Sequence, residues 1–162
     1  MENITMIAAV GKNLELGKNN DLIWRFKEDL QFFKEQTMGK PMVMGYNTFL
    51  SLPGLLPGRK HIVLSFEKLD LGKDVKVVTS MDELLDTIID YPEVMIIGGA
   101  SIYKQMLEHS GKLILTEVEA EAKDADVYFP KFDKNDWNRE LLSEQEENNI
   151  KYKHLVYTRK SK

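Results

Sequence analysis

The 162-residue chain has no cysteine, which removes disulfides, thiolate nucleophiles and thiolate metal sites. Histidine is nearly as scarce. His61, His109 and His154 lie far apart with no ligand spacing, so no metal is expected. No apolar run approaches the length needed to cross a bilayer, so no membrane partner is expected. The start, Met1-Glu2-Asn3-Ile4-Thr5, lacks the basic opening and long apolar stretch of a signal peptide, and a cytoplasmic setting is the expectation. Excess positive charge is missing too. The chain carries 22 Lys and Arg against 26 Asp and Glu, and a net charge of -4 argues against general nucleic-acid binding. What is present is 43% hydrophobic and 30% charged residues, enough for one domain over residues 1–162 with a sizeable core.

The pattern alternates strands and helices. Ile4 to Val10, Met42 to Met44, Ile62 to Ser65, Val75 to Val78, Val94 to Ile97 and Lys112 to Glu119 read as strands. Glu140 to Ser143 and Ile150 to Thr158 read as a C-terminal strand pair across Asn148-Asn149, with Glu144 to Glu147 as a solvated loop. Helices are expected over Lys27 to Thr37, from Asn47 or Thr48 to Leu52, after the capping box Ser80-Met81-Asp82-Glu83, and from Gly98-Gly99 through Leu107. Gly11 to Asp21 is a turn-rich polar loop interrupted by Leu14 and Leu16, of a length that is often functional. The sum is an α/β fold: a central, mostly parallel mixed sheet of about eight strands with a C-terminal antiparallel strand, flanked by about four helices. Right-handed crossovers then bring Gly45, Ser65, Gly98 and Thr116 to one sheet edge, the usual place for a ligand.

Asp29 is the residue that asks most for an explanation. In a helix over Lys27 to Thr37 it shares a face with Leu30 and Phe33, and Trp24 and Phe26 lie just upstream. An acid in apolar surroundings is costly without a partner, and a flat amidine-bearing heterocycle is a suitable one. The plain alternative is an acid that favours the positive end of a helix. Gly98-Gly99-Ala100-Ser101, between a strand and a helix, suits either an anion site or an ordinary tight turn, and Gly45 before Tyr46-Asn47-Thr48 repeats the arrangement. Arg59 follows the Pro57-Gly58 turn beside Leu52, Leu55 and Leu56. There it is either a carboxylate clamp or a solvated arginine with a packed stem. Thr116 is either a strand threonine favoured by its branching or a hydroxyl that holds a neighbouring acid. Trp137 and the eight methionines read as packing residues.

In their order and spacing these segments resemble dihydrofolate reductase over nearly the whole chain. The stretches are Ile7-Ala8-Ala9, Leu16-Gly17-Lys18-Asn19-Asn20, Trp24 with Asp29-Leu30 and Phe33-Lys34, Thr37-Met38-Gly39-Lys40-Pro41, Val43-Met44-Gly45, Leu56-Pro57-Gly58-Arg59-Lys60, Ile97 to Tyr103, Leu115-Thr116 and Asp126-Val127-Tyr128-Phe129-Pro130. The resemblance implies NADPH-dependent reduction of 7,8-dihydrofolate. Asp29 would bind the pterin, with Trp24 and Thr116 holding water and orienting the acid. Ile7, Ala8, Leu30, Phe33, Lys34, Leu52, Leu56 and Tyr103 would line the substrate, and Arg59 would take the glutamate α-carboxylate. Ala9, Leu16, Gly17, Gly45, Tyr46, Asn47, Thr48, Leu64, Ser65 and Phe66 would border the cofactor, together with Ile97, Gly98, Gly99, Ala100, Ser101, Ile102 and Tyr103. It also implies a cis Gly-Gly bond, antifolate inhibitors as further ligands, and closure of the Gly11 to Asp21 loop over the site. A monomer is expected, because no apolar stripe is left over once the helices are packed.

The chain departs from that family's pattern at several points. Ile23 and Phe26 stand where prolines are usual, which should loosen the entry to the first helix. Ala125-Asp126-Val127 replaces a Gly-Asp-Thr in a loop about a residue longer. At the cofactor's adenosine end Tyr46 stands where the family commonly has arginine, Phe66 follows Ser65, and Ser101 stands where a basic residue is frequent, so the usual cations for a 2′-phosphate are largely absent. A pyrimidinone reductase of the same fold and a non-catalytic NADP(H)-binding module are the alternatives. Asp29 together with Arg59 favours folate over both.

Overall fold

A computed structural model describes residues 3–18, 21–24 and 26–160. Eleven strands and four helices follow one another along these residues. They are β1 (Ile4–Val10), β2 (Glu15–Lys18), β3 (Asp21–Leu22), α1 (Lys27–Thr37), β4 (Met42–Gly45), α2 (Tyr46–Ser51), β5 (His61–Leu64) and β6 (Val75–Val78). After these come α3 (Met81–Ile88), β7 (Val94–Gly98), α4 (Ala100–Met106), β8 (Lys112–Val118), β9 (Val127–Tyr128), β10 (Trp137–Glu147) and β11 (Ile150–Arg159). Eight strands form one sheet in the order β10-β11-β8-β1-β7-β4-β5-β6. The pairs from β8 to β6 are all parallel, while β11 runs antiparallel to both β8 and β10. The central strands are apolar and buried on both faces, as a parallel sheet covered by helices requires: Met42, Val43, Met44, Val94, Met95 and Ile96 have no exposed surface.

Local chemistry explains the element ends. Gly39, at φ 79°, follows the last turn of α1 in the left-handed conformation that glycine adopts without strain. Ser80 Oγ accepts from Glu83 N–H at 3.0 Å, but the Glu83 carboxylate accepts from Thr79 N–H at 2.7 Å, so the capping box closes one residue early. Asn148 and Asn149, at φ 53° and 64°, form the two-residue turn between β10 and β11.

Four expectations need correcting. The Gly11 to Asp21 segment is not a structureless loop, because β2 pairs with β3 and β9 in a separate three-stranded sheet. Gly45, not Asn47 or Thr48, caps α2, and no side chain bonds its first turn. Residues 144–147 belong to β10: their like-charged run resembles a loop in sequence, yet they pair with Ile150 to Lys153. The entry to α1 is anchored despite its missing prolines. Phe26 is buried and stacks on Tyr152 with ring centroids 4.5 Å apart, and the Glu147 carboxylate accepts from Lys27 N–H at 3.1 and 3.2 Å.

Candidate active site

Asp29 sits in the first turn of α1 with 15% of its side chain exposed. Thr116, on β8, donates its hydroxyl to Asp29 Oδ1 at 2.5 Å. His154, on β11, brings Nε2 to the same oxygen at 3.0 Å and Nδ1 to Ser143 Oγ at 3.0 Å. Thr116 and His154 are direct cross-strand neighbours, so a single register sets both contacts. Phe32, also on α1, lies flat on the His154 ring at 3.8 Å. Trp24 is half-buried and packs against Phe26, Val118 and Tyr152. A Cβ added at Gly11 would stand 2.5 Å from the tip of its ring, so only glycine fits beneath it.

Along α1 the same face continues from Asp29 through Phe33 to Thr37. Eight residues of helix separate its ends by about 12 Å. Phe33 packs against the buried cluster of Met42, Met44, Val63 and Val75, which Leu52 and Leu56 also cover, and against that of Ile7, Met95 and Ile114. Leu30 is 47% exposed, and Lys34 is exposed. Arg59 closes the far end: its Nη1 donates to Thr37 Oγ1 at 3.2 Å and its Nε to Pro57 O at 3.1 Å. Burial lowers its affinity for the proton. His61, also buried, fixes the loop that carries Arg59. It accepts from Leu56 N–H through Nε2 at 3.0 Å, and Nδ1 meets Arg59 O at 3.1 Å. Leu56 N–H can only donate, so the proton sits on Nδ1. A depression of about 680 Å³ beside Arg59 is bordered by Lys60, Lys73 and Lys76, giving that end a positive rim.

A second group of residues gathers where β1, β4, β5 and β7 end. Ala8 and Ala9 lie half-buried on β1, and Ile97 and Leu64 lie half-buried on β7 and β5. The Gly98–Gly99 bond is cis. Thr48 Oγ1 would lie 3.5 Å and 3.4 Å from Cβ atoms built on Gly98 and Gly99, and Ile102 would lie 3.3 Å from one built on Gly45. The three glycines therefore keep open a shallow backbone cradle beside Thr48, bounded by the starts of α2 and α4. Neither helix has a side-chain cap. Tyr103 is buried and donates to Ile7 O at 2.6 Å, tying α4 to β1, and burial pushes its phenol up. Ala100 is half-buried and Ser101 exposed. Tyr46 is half-buried, Asn47 exposed and Ser65 buried, while Phe66 is 99% exposed.

Glu15, on β2, is 2% exposed. Its Oε1 accepts from Asn13 N–H at 2.7 Å and its Oε2 from Ala122 N–H at 2.6 Å. Burial alone would raise its carboxyl, but these backbone donors outweigh it and hold the group below its ordinary value. Further backbone bonds run the same way: Lys12 to Ala120, Asp126 to Gly17 and Phe129 to Leu14. Leu16 and Gly17 are buried in this seam.

The sequence model of the dihydrofolate reductase family matches residues 3–159. This chain belongs to the dihydrofolate reductase family. It is 36% identical to the dihydrofolate reductase of Neisseria gonorrhoeae over 159 residues, covering 98% of this chain and 96% of the relative. It is 34% identical to that of Bacillus subtilis (strain 168) over 161 residues, covering 98% and 95%. With that of Buchnera aphidicola subsp. Schizaphis graminum it shares 43% over 131 residues, 80% of each chain.

Within this dihydrofolate reductase fold, sequence reasoning overlooked two polar residues. His154 has an apolar neighbour in the strand, and nothing in its own segment reveals that β11 meets β8 with His154 opposite Thr116. Glu15 looks like one more charge in a polar stretch. Its signal was the pair Leu14 and Leu16, which marked the stretch as packed. The Leu16-Gly17-Lys18-Asn19-Asn20 expectation falls partly outside the described residues at 19 and 20, as does Arg25.

Proposed function

We propose that the protein reduces 7,8-dihydrofolate to 5,6,7,8-tetrahydrofolate with NADPH. One observation carries the substrate reading. A carboxylate and a guanidinium mark the two ends of one apolar helix face, about 12 Å apart by helical rise. A ligand suited to that face has hydrogen-bond donors on a flat ring at one end, a ring in the middle and a carboxylate at the other. Dihydrofolate has this form. Asp29 receives the pterin 2-amino group and ring N3, Phe33 with Leu52 and Leu56 contacts the rings, and Arg59 takes the α-carboxylate. Antifolates with the same donor pair use the same acid.

The glycine cradle fits the cofactor. Gly45, Gly98 and Gly99 let a pyrophosphate approach the backbone, and the uncapped first turns of α2 and α4 leave N–H groups for it. When bound, NADPH supplies the hydride that reduces C6 of the pterin. Asp29 polarises the ring and raises the basicity of N5, and water delivers the final proton. Trp24 shields the site and Thr116 fixes the acid. Tyr46, Phe66 and Ser101 bring no cation to the 2′-phosphate, so Thr48, Ser65 and backbone donors hold it, with Lys68 in reach along the chain. The enzyme is read as a cytoplasmic monomer. The test is direct: NADPH is oxidised on adding dihydrofolate. Oxidation with a pyrimidinone substrate instead, or none at all, overturns this reading.

A further inference from the structure

His154 is a buried titratable group that this chemistry leaves unused: it is 2% exposed and clasped on every side. From α1, Asp29 faces its Nε2 and Phe32 covers its ring. From β8 comes Thr116, and from β10 Ser143. On its own strand Tyr152 stands edge-on at 5.6 Å. The Tyr152 hydroxyl is buried and has no partner among the described residues. Burial, then the charges of Glu147, Asp29 and Glu28, push that phenol up to about 12. Lys153, Glu117 and Glu144 lie on the other face of the sheet, where Lys153 meets Glu119 and Glu144, and Glu117 accepts from Tyr157.

Ser143 suits either charge state of the imidazole. Its hydroxyl donates to Nδ1 when His154 is neutral and accepts from Nδ1–H when it is charged, so Nε2–H points at Asp29 in both. A carboxylate oxygen has two lone pairs to offer. Thr116, from β8, and His154, from β11, both bond Oδ1, so the acid is held from two strands.

We infer that His154 is a positioning residue for Asp29: with Thr116 it fixes the orientation of the carboxylate that meets the pterin's two donors. The inference rests on the reading of Asp29 as the pterin acid. It goes beyond that reading by naming what holds the acid in place.

The test uses carboxyl-carbon NMR on the ligand-free full chain, which needs no turnover. His154→Phe keeps a ring on Phe32 and Tyr152 but removes both nitrogens. A donor to Oδ1 is then lost, and the Asp29 carboxyl-carbon resonance should move from its wild-type position. Ser143→Ala, a milder change outside the aromatic stack, should move it the same way by less. In kinetics, His154→Phe should lower the hydride-transfer rate about tenfold, the scale of one charge-assisted hydrogen bond. KM for NADPH should stay unchanged, and His154→Gln should recover part of the loss. If the Asp29 carboxyl-carbon resonance is the same in wild type, His154→Phe and Ser143→Ala, His154 does not position it. A resonance that moves in His154→Phe, together with a wild-type protein that never oxidises NADPH, would overturn the functional reading alone.

Discussion

Replacing Glu15 by glutamine separates charge from shape at the seam between β2 and the segment before β9. In the folded protein one carboxylate oxygen takes Asn13 N–H and the other Ala122 N–H. Glutamine has only one acceptor oxygen, and its NH2 must face the remaining amide donor. One charge-assisted bond is lost, a second becomes neutral, and a buried N–H is left unmet. Lost bonds to a charged group are worth about 1.5–3 kcal/mol, so about 2–3 kcal/mol is expected here. That corresponds to an acceleration of about 30- to 150-fold in hydrogen exchange at whichever amide loses its acceptor. If all of it reached global stability, Tm would fall by at most about 12 °C for a chain of this size. Only part should, because the seam can open while the eight-stranded sheet stays folded. The pH dependence has a definite sign. The Glu15 carboxyl is held below the ordinary glutamate value of 4.5 in the folded state by its backbone donors. Its stabilisation is therefore complete above about pH 4.5 and lost as pH falls through the lowered folded value, and Glu15→Gln should flatten that acid loss. Amide exchange resolved at Asn13 and Ala122 is the assay. Rates within about threefold of wild type at both would refute the idea that this carboxylate holds the two segments together.

Four further outcomes follow from the site. Asp29→Asn should lower kcat/KM for dihydrofolate by about 10²–10⁴ at neutral pH, with a smaller defect where acid protonates the substrate in solution; near-normal turnover at pH 7 would make Asp29 a mere helix-start acid. Arg59→Ala should raise KM for dihydrofolate by about 2–5 kcal/mol of lost binding and leave a substrate without the glutamate tail unaffected, so equal losses on both would dismiss the clamp. NADPH should be preferred over NADH by a margin that Tyr46→Arg widens by about 1–2 kcal/mol, read from kcat/KM for both cofactors; a wild type that refuses NADH outright would mean the phosphate has other partners. His61 is held below 6.5 chiefly by burial, so its contribution is complete above about pH 6.5 and lost as pH falls below it; the urea midpoint should decline between pH 7 and 5.5 more steeply in wild type than in His61→Gln.

Elements whose signals are local could be read from sequence, and contacts that depend on strand register could not. The bounds of α1, Gly39 at its end, the Ser80 cap and the Asn148-Asn149 turn each follow from a few adjacent residues. The two ends of the α1 face, Asp29 and the Thr37 that receives Arg59, follow from helical spacing once the helix is granted. His154 is different. Its meeting with Asp29 needs β11 to sit beside β8 in one register, and β11 is the only strand in the sheet's interior that runs against its neighbours. The bulge between Leu141 and Ser143 adds a second obstacle, because alternation along β10 changes phase there. Polarity before and after it cannot be joined into one pattern, which is why residues 144–147 resembled a loop. Glu15 escaped for an energetic reason: its partners are backbone N–H groups, which leave no mark in sequence.

β10 has a consequence for how one molecule meets another. It is the outermost strand of the large sheet, eleven residues long, and its outer backbone edge has no neighbouring strand among the described residues. Such an edge is a template on which a second chain could add a strand. Here the exposed flank carries Arg139, Glu140, Glu144 and Glu146, and the bulge at Leu141/Ser143 bends the strand midway. A second copy approaching edge to edge would have to desolvate these charges and match a kink. The exposed Leu141 and Leu142 sit at that bend, the one place along the edge where apolar surface and irregular backbone coincide. Straightening the bulge while neutralising the flanking glutamates would convert a guarded edge into an adhesive one, with no change to the residues of the cleft.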